Sequence, residues 1–516
     1  MVKFYWKNKL LPSLMAVALA SGVAFSGNAN AIHLAEDGVG QVLLVPLYLA
    51  DFGYETKLAV VNTREDIAVK AKVVIRSALA SSELLDFILY LSPGDVWRGK
   101  IFIDSDGVVK VYSDDDSMKN DNVPSGSNVQ RNSDGSTFAS ILPVTQALFT
   151  QNLGSGDTSK MGHIEVIGVY GVREGNINLP GGQAVRVFRG MSKFELARIF
   201  DTIPRGSLDA VNPPSEASGL PGSPIRSTDP SFIELMGTVE MASSQDRIGY
   251  RIPALAGAEG DNVPTFVPSY LTSDIAPFDG LVISNPSFDV SVAAETPIGT
   301  NFGVLGTDKI IEIEAALATS NIHGTYEDDS RSEPQPGINR TRIAVTFPTR
   351  YRHGERNDSQ NRIVPGNPCN EPTVVAADQY SPPFRSDGGI EFTVRAFDNH
   401  ENDTAVRGRV FSGGPTSERG TLVEVNYFIP EWPSTKKNAD GTLIPGSKNF
   451  ESGWFDMNLI VRSGCPYPGA PAISFTHKYK EVGGMFTQSW FVPNSHKPIF
   501  GVCADDDGDC EVNSLM

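Results

Sequence analysis

The segment that decides the predicted fold reads Val69-Lys70-Ala71-Lys72-Val73-Val74-Ile75-Arg76. In an extended chain, successive side chains point to opposite faces, so apolar and polar residues that alternate fall on different faces. One face carries Val69, Ala71, Val73 and Ile75, and the other carries Lys70, Lys72 and Arg76, with Val74 as the exception. The pattern predicts a half-buried β-strand, with one face in a core and the other in solvent.

Further strands are predicted on both sides of this segment. Residues 57–61 form an apolar partner strand, residues 85–91 a third apolar run, and residues 96–103 a strand that runs back. Pro93 and Gly94 separate the last two, where a tight turn requires a fixed φ followed by a positive φ. The pattern predicts an antiparallel β-meander or a sheet of a β-sandwich.

The composition of the 516-residue chain favours the same class. Its 49 Gly and 35 Pro suit many turns and short strands, and 40% hydrophobic residues suit two or three folded domains. A net charge of −18 repels phosphate backbones and anionic membrane surfaces. We therefore expect a mainly β protein of antiparallel β-sandwich-like domains with a few short helices, and no nucleic-acid partner.

The first 31 residues have the form of a secretory signal peptide. Three lysines precede or border an apolar stretch over residues 10–25, and Ala29-Asn30-Ala31 forms an A-x-A cleavage site. We expect cleavage after Ala31 and export to the periplasm or the outer cell surface. No later stretch has 18 uninterrupted apolar residues, so no membrane-spanning segment is expected in the mature chain.

A segment rich in Pro, Gly and Ser, residues 212–230, is the predicted linker. It divides an N-terminal β domain, residues 32–211, from a C-terminal mainly β region, residues 231–516. The C-terminal region is expected to contain one central helix over residues 308–319, where the apolar residues fall on one helical face. A second, short amphipathic helix is predicted over residues 193–200, with its apolar side chains inward: Phe194, Ala197 and either Ile199 or Phe200.

Other strands are predicted from apolar or alternating runs. In one run Ile390, Phe392, Val394 and Ala396 alternate with Glu391, Thr393 and Arg395. The remaining runs are residues 164–170, 342–347, 422–429, 454–461, 472–478 and 485–492.

Four cysteines lie in the C-terminal region: Cys369, Cys465, Cys503 and Cys510. An even count in an oxidising compartment favours two disulfides, and four cysteines allow three connectivities. Sequence proximity favours the pair Cys503–Cys510 and, by subtraction, Cys369–Cys465.

Calcium is the cofactor with the best local pattern. Asp505, Asp507 and Asp509 alternate as in the D-x-D-x-D of calcium loops, and Gly508 permits a sharp bend. The bidentate Glu of an EF-hand is missing, because Glu511 comes too early. The alternatives are a calcium site at these three carboxylates and a solvated acidic turn.

Motifs of catalysis are absent from the sequence: no G-x-S-x-G, H-E-x-x-H, phosphate-binding loop or dinucleotide fingerprint occurs. Two carboxylate–imidazole groupings remain, His163 with Glu165, and His400 with Asp398 and Glu401. For each histidine the simpler interpretation is a surface or loop residue. We expect no catalysis, although two carboxylates of a glycosidase leave no motif.

Three tryptophans are candidates for an aromatic platform of a sugar-binding site: Trp432, Trp454 and Trp490. Core packing explains each of them more simply, and we expect all three to be buried.

Three runs of the sequence resemble a known class of proteins. The runs Glu55-Thr56-Lys57-Leu58-Ala59-Val60-Val61-Asn62-Thr63, residues 85–87 with 92–97, and residues 345–350 resemble segments of mostly uncharacterised exported β-rich proteins of Gram-negative bacteria, some of them cell-surface or surface-layer components. The resemblance covers about a quarter of the chain and brings no catalytic residues. It implies an exported, non-catalytic, structural or adhesive protein of the cell surface, whose partners are cell-surface components or further copies of itself. The alternative is a secreted protein that binds or cleaves polysaccharide.

Overall fold

The structure is a computed structural model. It describes residues 33–51, 53–78, 83–120, 129–143, 159–178, 184–202, 225–226, 233–244, 247–256, 316–329, 338–350, 362–364, 373–375, 383–385, 388–398, 402–406, 419–422, 424–433, 435, 438, 442–445, 447–460, 469–482, 485–497, 501–503 and 510–512. The statements on structure below refer to these residues. The predicted signal peptide and linker lie outside them, except for a two-residue strand at 225–226.

The described residues are mainly β, as predicted. The first part of the chain contributes β1 (His33–Leu34), β2 (Val39–Gly40), β3 (Val42–Leu49), β4 (Glu55–Asn62), β5 (Ile67–Ser77), β6 (Glu83–Leu91), β7 (Val96–Ile103), β8 (Val109–Ser113), β9 (Met118–Lys119), β10 (Gln130–Arg131), β11 (Thr137–Ile141), β12 (Met161–Arg173), β13 (Gly175–Asn178), β14 (Ala184–Val187) and the helix α1 (Lys193–Thr202). The next part contributes β15 (Ile225–Arg226), β16 (Leu235–Ala242), β17 (Arg247–Arg251) and β18 (Ala254–Ala256).

The last part of the chain contributes β19 (Ala318–Thr319), β20 (Asn321–Glu327), β21 (Ile338–Thr346), β22 (Arg362–Val364), β23 (Thr373–Val375), β24 (Ile390–Asp398), β25 (Asp403–Val406), β26 (Arg419–Leu422), β27 (Val425–Phe428), β28 (Ser452–Ile460), β29 (Ala470–Pro471), β30 (Ile473–Val482), β31 (Met485–Pro493), β32 (Ser495–Lys497), β33 (Gly501–Cys503) and β34 (Cys510–Val512). The predicted helix over residues 308–319 lies mostly outside the described residues. Of its described residues, 316 and 317 are helical as predicted. The last two residues form β19 instead, because they pair with β29.

Two antiparallel sheets form a sandwich in the first part of the molecule. Sheet A has the order β1-β18-β3-β12-β5-β6-β9, with β15 on β12, and sheet B has the order β10-β11-β8-β7-β4-β16-β17, with β2 on β16. Both line one core, to which sheet A contributes Val73 and sheet B contributes Val60. The predicted partnership of residues 57–61 with the strand after them is wrong: β4 pairs with β7 and β16, and the chain crosses to sheet A before β5.

The half-buried strand predicted from Val69 to Arg76 is also a misassignment, because β5 is buried on both faces. The core covers one face, and the buried Leu196, Ile199 and Phe200 of α1 cover part of the other. The prediction that Phe194 points inward is wrong, since its side chain is 69% exposed. Leu196 takes its place one helical turn before Phe200.

Two further sheets of more than two strands lie in the last part of the molecule. Sheet C has the order β25-β24-β28-β20-β32, with β26 on β24, and sheet D has the order β27-β21-β30-β31. Sheet D has two buried faces: Ala344 and Phe475 join the core of sheets A and B, whereas Val345 packs with Phe455 of sheet C. Sheet D is therefore the layer that connects sheet C to the N-terminal sandwich.

The strands on both sides of the predicted linker belong to the same two sheets. After this segment the chain returns to pair β16 with β4 and β18 with β3.

Among the described residues, no helix is long and apolar enough to cross a membrane.

Candidate functional site

Sheet C turns one face to its core and the other outward. Along β24 and β28 every second residue is buried, and most of those between are half-buried or exposed. Because β20 and β24 pair with β28 in a regular antiparallel register, the outward residues of the three strands form one surface. We call it the outer face of sheet C, and it carries Asn321, His323, Thr325, Thr393, Arg395, Phe397, Trp454, Asp456 and Asn458.

An aromatic pair stands at the centre of this face. Trp454 lies directly opposite Phe397 in the register, and the two rings stack with centroids 3.9 Å apart and planes 5° from parallel. The Arg395 guanidinium lies 5.3 Å from the centroid of Phe397 and forms an ion pair with Asp403. The Trp454 ring is therefore held in place by its neighbours although 43% of the residue is exposed.

Hydrogen-bonding groups surround the aromatic pair. Asp456 Oδ1 accepts a hydrogen bond from Asn321 Nδ2 at 2.9 Å and lies 3.1 Å from His323 Nε2. The His323 ring stands perpendicular to Trp454, with centroids 6.2 Å apart. Asn458 Nδ2 donates to Asn321 Oδ1 at 3.5 Å. Each of these polar groups is thus oriented before any ligand arrives.

Such a surface has the chemical groups of a ligand-binding site. A fixed, exposed aromatic ring offers an apolar plane, and the carboxylate, amide and imidazole groups beside it offer donors and acceptors in defined directions. Sugars match this combination because a pyranose ring has apolar C–H faces and a rim of hydroxyl groups. We therefore treat the outer face of sheet C as the candidate site.

The three tryptophans divide in a way that the sequence analysis did not predict. Trp432 is buried as expected: it stacks on Tyr326 at 4.3 Å, and its Nε1 donates to the carbonyl of Thr341. The expectation of burial is wrong for Trp454 and for Trp490, which is 40% exposed. The alternation of residues 454–459 could have indicated the exposure of Trp454. Trp454 lies on the same face of the strand as Asp456 and Asn458, and the apolar residues between them lie on the other face.

A second cluster of polar residues is buried, and the sequence grouping His163–Glu165 belongs to it. His163 Nε2 lies 3.7 Å and Arg76 Nε 3.2 Å from Glu165 Oε1. His163 Nδ1 lies 3.5 Å from Glu424 Oε1, and Arg350 Nη1 lies 3.7 Å from Glu424 Oε2. We call these five residues the buried ion network. It joins β5 and β12 of sheet A to residues of the last part of the chain.

The interpretation of His163 as a surface or loop residue is wrong, since all five side chains of the buried ion network are 3% exposed or less. Burial lowers the pKa of His163 despite the neighbouring Glu165. Burial also raises the pKa of Glu424, although Arg350 and Arg76 oppose that shift. The network therefore links sheet A, within the protein interior, to Arg350 and Glu424 of the last part of the chain.

The other sequence candidates are not gathered into a site. His400 and Glu401 lie outside the described residues, and the buried Asp398 accepts hydrogen bonds from Asn402. The predicted calcium ligands Asp505, Asp507 and Asp509 also lie outside them. Within the described part of the chain, no three His, Cys, Asp or Glu side chains are grouped to hold a metal ion.

Comparisons with known proteins give no relative: no family model, no curated protein and no solved structure matches the chain. The resemblance to exported surface proteins stays a prediction.

Proposed function

We propose that this chain is an exported, non-catalytic adhesive protein of the cell surface that binds polysaccharide through the outer face of sheet C. The observation that carries the proposal is the exposed Trp454, which is stacked on Phe397 and flanked by oriented polar groups. Packing does not require this exposure, since the core of sheet C lies on the opposite face. A large aromatic ring held rigidly in solvent is typical of a binding surface.

The test is binding of the purified protein to a panel of soluble polysaccharides, measured by retardation in gels that contain them. Trp454→Ala removes the exposed ring and is expected to weaken binding by at least about tenfold, which corresponds to about 1.4 kcal/mol. Phe194→Ala is the matched control, because Phe194 is also an exposed aromatic residue but lies on α1, away from sheet C.

Two results contradict the proposal. One is a parent protein that no polysaccharide of the panel retards. The other is a Trp454→Ala variant that is folded and is retarded as strongly as the parent and the Phe194→Ala control.

The C-terminal loop adds a second, smaller proposal: a disulfide between Cys503 and Cys510 that closes a calcium loop. Its support is the hairpin of β33 and β34, which places these two residues directly opposite each other in the register. Calcium at several millimolar is expected to raise the melting temperature of the oxidised protein, and Asp507→Asn is expected to reduce that rise. Equal shifts in variant and parent, or no shift in the parent, contradict it.

A further inference from the structure

The two faces of the Trp454 ring are in different surroundings. Phe397 covers one face from the β24 side. On the β20 side the residue opposite Trp454 is Thr325, which is exposed and has a small side chain. Because Phe397 covers the other ring face, we infer that the 43% exposure of Trp454 lies on the face toward Thr325 and on the outer edge of the ring. We call the space between this ring face and the β20 edge the Thr325 slot.

The slot is bounded at one end and continues past the other. His323 stands perpendicular to Trp454 at one end, and β32 pairs with β20 only over the residues from Asn321 to His323. In the part of the chain that the structure describes, the pairing with β32 thus stops before Thr325. At Thr325 a chain-like ligand on the outer face of sheet C meets no paired strand among these residues, whereas the backbone of Glu327 at the end of β20 is bonded by the Thr341 hydroxyl.

The described polar side chains near the slot carry no net positive charge. Both contacts of Asp456 go to Oδ1, which leaves Oδ2 to accept from a ligand hydroxyl. Glu327 lies at the far end of β20, where Lys478 Nζ is 3.2 Å from its Oε1. Arg395 is engaged by Asp403 on the other side of the aromatic pair. Among the described residues, the slot therefore offers acceptors for hydroxyl groups, and the nearby cations Arg395 and Lys478 are each paired with a carboxylate of the protein.

This inference rests on the proposed function and deepens it. The geometry points to a neutral polysaccharide of β-linked hexopyranoses with equatorial substituents, one sugar of which stands in the Thr325 slot with its C–H face on Trp454. Equatorial substituents leave the ring faces apolar, so the ring can stack closely, and they place hydroxyl groups at the rim, within reach of His323 and Asp456. Axial hydroxyls would interrupt that stacking.

The charge of the chain supports the neutral ligand. A polyuronate or a sulfated glycan would bring carboxylates or sulfates beside Asp456 and Glu327, on a protein of net charge −18. Like charges close to each other repel. The described cations near the slot, Arg395 and Lys478, are already paired with Asp403 and Glu327 and do not offset this repulsion.

The experiment uses the full chain in gels that contain barley β-glucan or hydroxyethyl cellulose as neutral β-linked probes, dextran as a neutral α-linked probe, and polygalacturonate or dextran sulfate as acidic probes. Thr325→Leu fills the slot without touching the aromatic pair. Thr393→Leu is the matched control, because Thr393 lies on the same face opposite Asn458 and not beside the rings. Melting temperatures of both variants verify folding.

We expect retardation of the parent by at least one neutral β-linked probe, weak or no retardation by the other probes, a loss of about tenfold or more for Thr325→Leu, and parental behaviour of Thr393→Leu. Trp454-dependent retardation by dextran or an acidic probe overturns the inference and leaves the proposed function standing. So does a Thr325→Leu variant that binds neutral β-glucan as the parent does. Retardation by no probe at all overturns the proposed function together with the inference.

Discussion

The outer face of sheet A is buried, whereas the outer face of sheet C is partly exposed. Both β5 and β24 nevertheless alternate apolar with polar residues in sequence. β5 places lysine and arginine on its second face, and β24 places Thr393 and Arg395 there. In sheet A that face is covered by α1 and by residues from the end of the chain, so that Lys72 and Arg76 are 0% exposed. In sheet C the residues of the corresponding face are half-buried or exposed.

The difference in burial changes what the charged side chains of each face require. Charges under a cover need partners, because an unpaired buried charge costs several kcal/mol. Sheet A supplies them: Lys72 Nζ lies 2.8 Å from Asp86, and Arg76 pairs with Glu165. On sheet C the aromatic pair is only partly buried, and our proposal assigns its fixed placement to a ligand.

The largest effect is expected from the buried ion network. Arg76→Met removes a cation and leaves Glu165 buried with less compensation, so the free energy of unfolding should fall by about 3–5 kcal/mol. Denaturant unfolding measures the change. Arg98→Met on the exposed face of β7 is the control and should change stability by no more than about 0.5 kcal/mol. Equal losses in the two variants would mean that the covered face of sheet A behaves like a solvent-exposed one.

A second effect is a pH dependence of stability that the covered face of sheet A should contribute. Because burial lowers the pKa of His163 from 6.5, the unfolded chain binds a proton below about pH 6.5 that the folded protein does not. The contribution of His163 is complete above that pH and is lost as the pH falls, with a slope of up to about 1.4 kcal/mol per pH unit. Glu424 acts in the opposite sense, because its raised pKa makes its contribution fall as the pH rises above about 4.5.

His163→Gln should therefore flatten the fall in stability between pH 6.5 and pH 5 relative to the parent. Urea unfolding at a series of pH values measures both curves. Parallel curves would show that His163 does not titrate differently in the folded and unfolded states.

The smallest effect is expected on the open face. Trp454→Ala removes the stacking on Phe397 but opens no core cavity, so it should cost only about 1 kcal/mol. Trp432→Ala is the comparison within the same sheet, and it should cost about 3–5 kcal/mol because Trp432 is buried. A loss at Trp454 as large as that at Trp432 would assign the exposed ring to folding and not to binding.

Strand positions could be predicted from the sequence where the alternation is regular. β24 is the clearest case, since its buried residues match the predicted apolar set from Ile390 to Ala396. The strands predicted over residues 164–170 and 485–492 lie within β12 and β31. In each of these runs the local pattern alone decides the element, because apolar side chains must leave water whatever sheet the strand joins.

The partners and covers of these strands could not be predicted. Contacts between residues far apart in the sequence decide whether β4 pairs with β5 or with β7. They also decide whether Arg76 faces solvent or Glu165. The same limit explains Phe194 and Trp454: the helical or strand period gives the face on which a side chain lies, but not whether another element packs on that face. The candidate site depends on the register of three strands, which places Thr325, Trp454 and Phe397 side by side.

The most direct test of the account is the accessibility of Trp454 with and without ligand. In a Trp490→Phe variant, Trp454 is the exposed tryptophan among the described residues, since Trp97 and Trp432 are buried. A Trp454→Phe, Trp490→Phe double variant gives the background fluorescence. We expect acrylamide to quench the Trp454 emission and a saturating neutral β-glucan to protect it. Quenching that is the same with and without every polysaccharide of the panel would contradict a binding site on the outer face of sheet C.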